Sequence, residues 1–431
     1  MEKKMLPRKP LGNPRRLWQQ DRFVLSTFSA GDVFFRFDDP DAAEKMRRSV
    51  KTCADAGFNM LELGWATPVQ SEAAVRMCEQ LGIDVIYQNL KRYGGMNERI
   101  FCEESDLPGV MNEMRRWKSI KGFYIWDEPA KEAQMIETRR LIDICERERP
   151  DCLPFVVALP SYGENFTWQN GLYPGYLEKY ATVIDPVIFS FDYYPVGMTE
   201  HDGIRQMDET LMWCDLGITR KVAERHDMPL WFYYQGQNLH HVDEFIFPMV
   251  RLMMNAGVLY GAKGLQHYTA CEAVADLDGN RGEFFEEQKA IHAHFRELGN
   301  TLMALKCKRV IHDDTLLPGC PYKAGLFDDM EDSALLSGKL PERVSVSEHE
   351  DGFGNRYLMV LNRDYRLERE ISLELKALGR VWEVSGEDGY QHIVAEDAEA
   401  FSANYVPGEL RIFRIQPACE DTFEIEYYLD K

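Results

Sequence analysis

Two adjacent carboxylates, Asp127 and Glu128, stand at the most informative point of this sequence. They follow an apolar, β-forming run, Phe123 to Trp126, and Pro129 comes directly after them. Because proline cannot donate to a sheet ladder, we expect the strand to end here, and the periodic segment 131–148 predicts a helix beyond it. Neighbouring carboxylates oppose each other's ionisation, so one can keep a proton near neutral pH. The pair is therefore suited to acid–base chemistry.

The strand–helix unit that carries this pair belongs to a repeated pattern. Strands are predicted at 23–28, 59–65, 84–88, 123–126, 154–159, 187–192, 230–234 and 265–268, and helices at 41–56, 71–81, 107–117, 131–148, 175–181, 203–216, 243–256 and 284–305. Consecutive β–α units in this number predict a (β/α)8 TIM barrel, which usually takes ~250 residues. Catalytic residues of such barrels come from the carboxyl ends of the strands, which is where Asp127 and Glu128 lie.

The pattern changes after residue 306. Short alternating runs replace the helical periodicity, as in Ile371 to Leu375, where every second side chain is apolar. Turn signals separate the predicted strands at 343–348, 357–361, 371–375, 380–384 and 410–415. The sequence therefore predicts a basic N-terminal arm over 1–20, a barrel over 21–306 and an antiparallel β-sandwich domain over 307–431.

The carboxyl ends of the predicted strands carry aromatic, amide and acidic residues. Those expected to bind substrate are Trp65, Gln88, Trp126, Asp192, Tyr194, Tyr234, Gln235, His267 and Tyr268, and further carboxylates on this rim are Glu62, Glu164 and Glu272. Aromatic rings stack on the apolar faces of sugars while amides and acids bind hydroxyls, so this set favours a neutral polyhydroxylated ligand. A phosphate site would require a glycine-rich turn with Lys or Arg, which is not evident here.

Most of these residues also have a purely structural interpretation. Asp127 and Glu128 could cap the following helix, because acids favour helix N-termini. Asp192 could cap its Tyr-Tyr-Pro turn, Glu62 could face a helix, and His267 could be a core histidine. The remaining histidines lack metal-ligand spacing, and no cofactor fingerprint occurs, so neither a metal nor a cofactor is expected.

Composition limits the expected partners. The formal net charge of −21 argues against nucleic acid and anionic membranes. No run is apolar enough for a signal peptide or a membrane span. The 10 cysteines show no paired spacing, which predicts reduced thiols and a cytoplasmic protein. The expected partner is a small carbohydrate, and the sequence does not determine the oligomeric state.

The predicted architecture resembles that of (β/α)8-barrel glycoside hydrolases with an accessory β-sandwich. The specific part of the resemblance is Trp126-Asp127-Glu128-Pro129 after strand four and Asp192-Tyr193-Tyr194-Pro195 after strand six. The large retaining clan ends strand four in Asn-Glu and places a nucleophilic Glu after strand seven. This chain has Asp127 and Gln235 at those positions. Because an amide cannot be the glycosyl nucleophile, that clan's mechanism does not carry over whole.

The adjacent Asp-Glu pair is similar instead to hexosaminidase-type families, including glycoside hydrolase families 20 and 123. This resemblance implies that the 2-acetamido oxygen of the substrate attacks the anomeric carbon. Glu128 would be the general acid/base, Asp127 would stabilise the acetamido group, and Tyr194 or Tyr234 would be its hydrogen-bond partner. In a cytoplasm the substrates would be short glycosides cleaved by exo-action. The alternatives are a non-catalytic carbohydrate-binding barrel and a hydrolase whose second carboxylate is Asp192, Glu164, Glu272 or Glu62.

Overall fold

The structure is a computed structural model that describes residues 3–5, 11, 16–28, 39–63, 68–88, 107–162, 173–201, 204–316, 327–418 and 428–430. Its centre is a closed barrel of parallel strands in which each strand pairs with the next and the last pairs with the first. The strands are β1 (Val24–Phe28), β2 (Met60–Leu63), β3 (Asp84–Tyr87), β4 (Ile120–Asp127), β5 (Leu153–Ala158), β6 (Phe189–Tyr193), β7 (Leu230–Gln235) and β8 (Gly264–Tyr268). The predicted (β/α)8 barrel is confirmed.

Helices follow the strands and cover the outside of the barrel. They are α1 (Ala42–Asp55), α2 (Pro68–Leu81), α3 (Leu107–Glu113), α4 (Glu132–Glu148), α5 (Tyr173–Lys179), α6 (Thr210–Arg225), α7 (Phe247–Leu259) and α8 (Phe285–Ala304). Apolar side chains such as Val50, Ile142 and Val222 are fully buried between helices and strands. Each helix thus holds its strand in place through one apolar face.

The segment after β6 differs from the prediction. A helix was expected over 203–216, but Val196–His201 and Ile204–Met207 form an antiparallel hairpin, and α6 begins only at Thr210. The hairpin satisfies the backbone groups that the first helical turns would otherwise have used.

The C-terminal region forms one antiparallel sheet. In order across the sheet its strands are Lys306–His312, Val344–Glu350, Arg356–Asn362, Leu410–Pro417, Arg369–Val384, Tyr390–Tyr405, Lys3–Met5 and Tyr428–Asp430, with Leu336–Ser337 beside Arg369–Val384. The register shifts between Glu374 and Gly379, and buried residues from both sides of this shift, such as Leu373 and Val381, share one core. The predicted β-sandwich is confirmed, since parts of the sheet on either side of the shift pack against each other.

The N-terminal segment contributes to that sheet. Lys3–Met5 pairs with Tyr390–Tyr405, and Lys4 Nζ contacts Glu297 Oε2 at 2.7 Å. The boundaries at residues 20 and 306 remain predictions.

The structure also shows the state of several cysteines. The described free thiols are Cys53, Cys78, Cys145, Cys152, Cys271 and Cys307. Cys214, buried in α6, is disulfide-bonded, so the expectation of reduced thiols throughout is wrong at this residue. Spacing along the chain cannot reveal which cysteines the fold brings together.

None of the described helices combines the length and apolarity needed to cross a bilayer.

Candidate active site

The Asp127–Glu128 pair lies where β4 ends. Both side chains are partly buried, and Glu128 adopts a left-handed backbone conformation with φ of 53°. The helix α4 is capped by another residue, because Gln134 Oε1 accepts hydrogen bonds from the backbone N–H groups of Ala130 and Lys131 at 2.9 and 2.8 Å. A helix-capping role therefore does not explain the two acids.

Asp127 turns towards the barrel interior. Its Oδ1 accepts a hydrogen bond of 2.9 Å from the hydroxyl of Tyr124, which lies three residues earlier on β4 and is only 2% exposed. Tyr124 packs edge-on against Phe155 with ring centres 5.0 Å apart. The carboxylate of Asp127 is thus oriented by a rigidly packed phenol.

Asp192, at the end of β6, is the buried acid of this site. It is 6% exposed, and its Oδ1 has no hydrogen-bond partner within the described part of the chain. Burial raises the pKa of Asp192 well above its ordinary value, and the charges of Glu128 and then Asp127 raise it further. A hydrogen bond from Tyr194 acts in the opposite direction but is the smaller effect. Asp192 is therefore suited to hold a proton beside two other carboxyl groups.

An aromatic face borders these acids. Tyr194 and Tyr268 are stacked with ring centres 5.0 Å apart and an interplanar angle of 25°. Phe28 lies against Tyr268 at 5.3 Å. Both tyrosines are partly exposed, so a flat apolar sugar face could pack there.

A layer of polar residues lies inside the barrel. Glu62 on β2 is fully buried; its Oε1 accepts hydrogen bonds from Ser26 Oγ at 2.8 Å and Gln266 Nε2 at 2.9 Å, and its Oε2 contacts the hydroxyl of Tyr233. Burial raises the pKa of Glu62 to about 8 against the hydrogen bonds from Gln266 and Ser26, and the charge of Asp127 adds to the rise. Glu62 thus faces the interior rather than a helix.

Three predicted site residues lie behind the strands instead. Trp126 is 6% exposed and packs among the residues that face the helices. Tyr234 is fully buried, and its hydroxyl accepts a hydrogen bond from Gln288 on α8. His267 packs against Phe58 and Tyr234 with ring centres 5.6 and 5.3 Å apart, and burial, then His292, lowers its pKa to about 3. His267 has the environment of a core histidine.

The remaining predicted residues divide into four groups. Gln235 is buried and fastens the hairpin after β6, because its Oε1 accepts from Val196 N at 2.9 Å. Gln88 ends at the barrel mouth with Nε2 buried and unpartnered among the described residues. Glu272 is exposed on the loop after β8. Trp65 and Glu164 lie outside the described residues.

Sequence reasoning missed Tyr124, Tyr233 and Gln266. Their signal was the two-residue alternation that turns every second strand residue inward. On β4 this alternation would place Tyr124 and Trp126 on one face, but the register shifts between them, so only Tyr124 points inward. Among the described residues, no group of three or more His, Cys, Asp or Glu side chains is arranged to hold a metal ion.

Comparison with known proteins gives a result for the fold alone. No known protein family matches the sequence, and no curated protein matches it. A candidate α-galactosidase from Bacteroides fragilis matches with a TM-score of 0.56 and 8% identity, covering 91% of this chain and 79% of that one. The family GH27 β-L-arabinopyranosidase from Geobacillus stearothermophilus matches with a TM-score of 0.53 and 8% identity, covering 93% and 98%.

A variant of the same arabinopyranosidase, solved in complex with arabinose, matches with a TM-score of 0.52 and 8% identity, covering 92% of this chain and 97% of that one. These likenesses show the fold. At such low identity they leave the catalytic residues and the substrate to be argued from the site.

Proposed function

We propose that this protein is a glycoside hydrolase in which Asp192 donates the proton and Asp127 and Glu128 supply the opposing carboxylate. The observation that carries the proposal is the buried, partly unpartnered Asp192 beside two acids from β4. Glycoside hydrolysis requires a protonated acid and a carboxylate flanking one bond, and the environments of these acids differ in the way that separates those roles.

The chemistry assigned to each residue is as follows. Asp192 gives its proton to the glycosidic oxygen while the bond from that oxygen to the anomeric carbon breaks. The opposing carboxylate either attacks the anomeric carbon or takes a proton from an attacking water. Tyr124 holds Asp127 in place, and Tyr194 with Tyr268 offers a surface for the sugar ring. The role of proton donor thus moves from Glu128, as the sequence suggested, to Asp192.

The sugars to test first are suggested by the proteins of similar fold. The similar structures include an enzyme named for β-L-arabinopyranosides and a candidate α-galactosidase. We therefore place pyranosides of galactose and arabinose first among the sugars to test. Short glycosides, exo-action and a cytoplasmic location remain part of the proposal.

The test is hydrolysis of phenyl α- and β-galactosides, β-L-arabinopyranosides and β-glucosides, whose leaving group needs protonation, by the wild type and by Asp192→Asn, Asp127→Asn and Glu128→Gln. We expect turnover of at least one sugar and losses of about 10²-fold or more in all three site variants. Glu137→Gln, an exposed change on α4, is the matched control and should keep wild-type turnover. Wild-type turnover in all three site variants would contradict the assignment.

A second candidate is substrate-assisted hydrolysis of 2-acetamido sugars. It is favoured by the Tyr124–Asp127 hydrogen bond of 2.9 Å, which holds Asp127 in a fixed orientation, as a carboxylate that stabilises an acetamido group would need. Turnover confined to β-N-acetylhexosaminides would support it. If sugars raise the melting temperature of the protein but none is hydrolysed, the barrel is a binding protein.

A further inference from the structure

Glu62 is a second buried acid that the proposed reaction does not use. It lies inside the barrel, where residues of three other strands contact it: Ser26 on β1, Tyr233 on β7 and Gln266 on β8. Ser190 on β6 fixes Gln266 by donating to its Oε1 at 2.7 Å, which turns Nε2 towards Glu62. The side chain is therefore held in one position.

The surroundings of Glu62 contain no compensating positive charge among the described residues. The titratable groups that face it are Asp127 and Tyr124 on β4 and Tyr233 on β7, while β1 and β8 present the neutral Ser26 and Gln266. The charged residue that affects the pKa of Glu62 is Asp127, whose negative charge raises it. An ionised carboxylate buried without a cation is costly, and a like charge nearby increases that cost.

The hydrogen bonds also indicate where a proton would sit. Oε1 accepts from both Ser26 and Gln266, so it is the carbonyl-like oxygen. Oε2 faces the hydroxyl of Tyr233, which can accept a hydrogen bond as well as donate one. Oε2 is thus the oxygen able to carry the acid hydrogen.

We propose that Glu62 is a positioning residue that holds a proton on Oε2 in the folded barrel and so keeps a second negative charge away from Asp127. Glu62 acts through Asp127 and never touches the sugar. The part of this role that concerns turnover rests on the proposed function, whereas the bound proton does not. A pKa of about 8 for the buried acid is consistent with it.

The bound proton predicts how stability depends on pH. Because the folded-state pKa of Glu62 is raised from its ordinary 4.5 to about 8, its contribution to stability is complete below 4.5 and is lost as the pH rises towards 8. Glu62→Gln replaces a neutral acid with a neutral amide. The denaturation midpoint of the variant, measured relative to that of the wild type at the same pH, should therefore rise as the pH is increased from 5 to 8.

The direct test is infrared difference spectroscopy of the wild type minus Glu62→Gln. We expect a protonated-carboxyl band at pH 6 that disappears by about pH 9. Tyr233→Phe removes a donor to the carboxylate form, so its band should persist to higher pH, and this variant serves if Glu62→Gln does not fold. Glu137→Gln should leave both the spectrum and the pH dependence unchanged. Absence of the band at pH 6 would overturn the proposal.

Turnover separates this role from direct catalysis. If a substrate is found, Glu62→Gln should keep kcat at pH 6 within about threefold of wild type, while Asp127→Asn loses about 10²-fold. A loss in Glu62→Gln equal to that in Asp127→Asn would mean that Glu62 acts as a charged group, against the proposal. If no glycoside is hydrolysed, the proposed function fails, and the infrared band still decides the protonation of Glu62.

Discussion

The charge of Glu128 acts directly on Asp192, although the two residues come from different strands of the barrel. After burial, Glu128 makes the largest contribution to raising the pKa of Asp192, ahead of Asp127. The turn after β4 and the end of β6 are thus one electrostatic unit. This coupling, more than either residue alone, gives the site its acid–base character.

Removing that charge should release the proton more easily. In Glu128→Gln we expect the pKa of Asp192 to fall, because one of its two repelling carboxylates is gone. Carbon-detected NMR titration of labelled aspartate, with Asp192→Asn to assign the signal, measures this. An unchanged titration of Asp192 would show that the two groups are not coupled.

The hydroxyl of Tyr124 should matter for turnover more than for folding. Tyr124→Phe keeps the packed ring but removes the hydrogen bond that orients Asp127. We expect kcat to fall about tenfold, which corresponds to about 1.4 kcal/mol in the activation free energy, with the melting temperature lowered only slightly. Tyr233→Phe at the polar layer is the comparison variant, and an equal loss of kcat there would argue against a specific role for Tyr124.

The left-handed backbone at Glu128 should carry a cost in stability. Glycine adopts positive φ freely, so Glu128→Gly should raise the free energy of unfolding by up to about 1 kcal/mol while turnover falls by about 10²-fold. Chemical denaturation and steady-state kinetics measure the two effects. A destabilised Glu128→Gly would mean that side-chain contacts of Glu128 outweigh the backbone strain.

His267 should affect acid stability rather than catalysis. Its pKa is lowered to about 3 by burial, so its contribution to stability is present above the ordinary value of 6.5 and is lost as the pH falls towards 3. As the pH falls from 6 to 4, the protonation of this residue in the unfolded state should raise the equilibrium constant for unfolding by up to about tenfold per pH unit. His267→Gln should flatten that dependence and retain turnover, and loss of turnover in a folded variant would return His267 to the site.

Much of the fold followed from the sequence because barrel strands are buried on both faces. Apolar runs such as those of β5 and β7 therefore predict strands without any alternation. The strand Tyr390–Tyr405 was missed because many of its side chains are exposed, among them Glu396, Asp397 and Glu399, which hides the pattern. The hairpin after β6 was missed because its pairing depends on contacts rather than on local propensity.

The candidate site followed only in part. Asp127, Glu128 and Asp192 were predictable as strand-end acids, and Tyr194 and Tyr268 as aromatic neighbours. Trp126 was predicted to bind substrate, but it packs in the cluster that faces the helices, on the far side of a register shift in β4 that no sequence pattern indicates. The distinct environment of Asp192 depends on burial and on the approach of β4, which only the fold brings about.

The most direct test of Asp192 as proton donor is the dependence of Asp192→Asn on the leaving group. The dinitrophenolate of a dinitrophenyl glycoside leaves without being protonated. The methoxy group of a methyl glycoside of the same sugar must be protonated before it can leave. We predict that Asp192→Asn loses about 10³-fold in kcat/KM on the methyl glycoside and less than about tenfold on the dinitrophenyl glycoside. Equal losses on both substrates would contradict the assignment of Asp192 and point to a carboxylate that acts on the anomeric carbon.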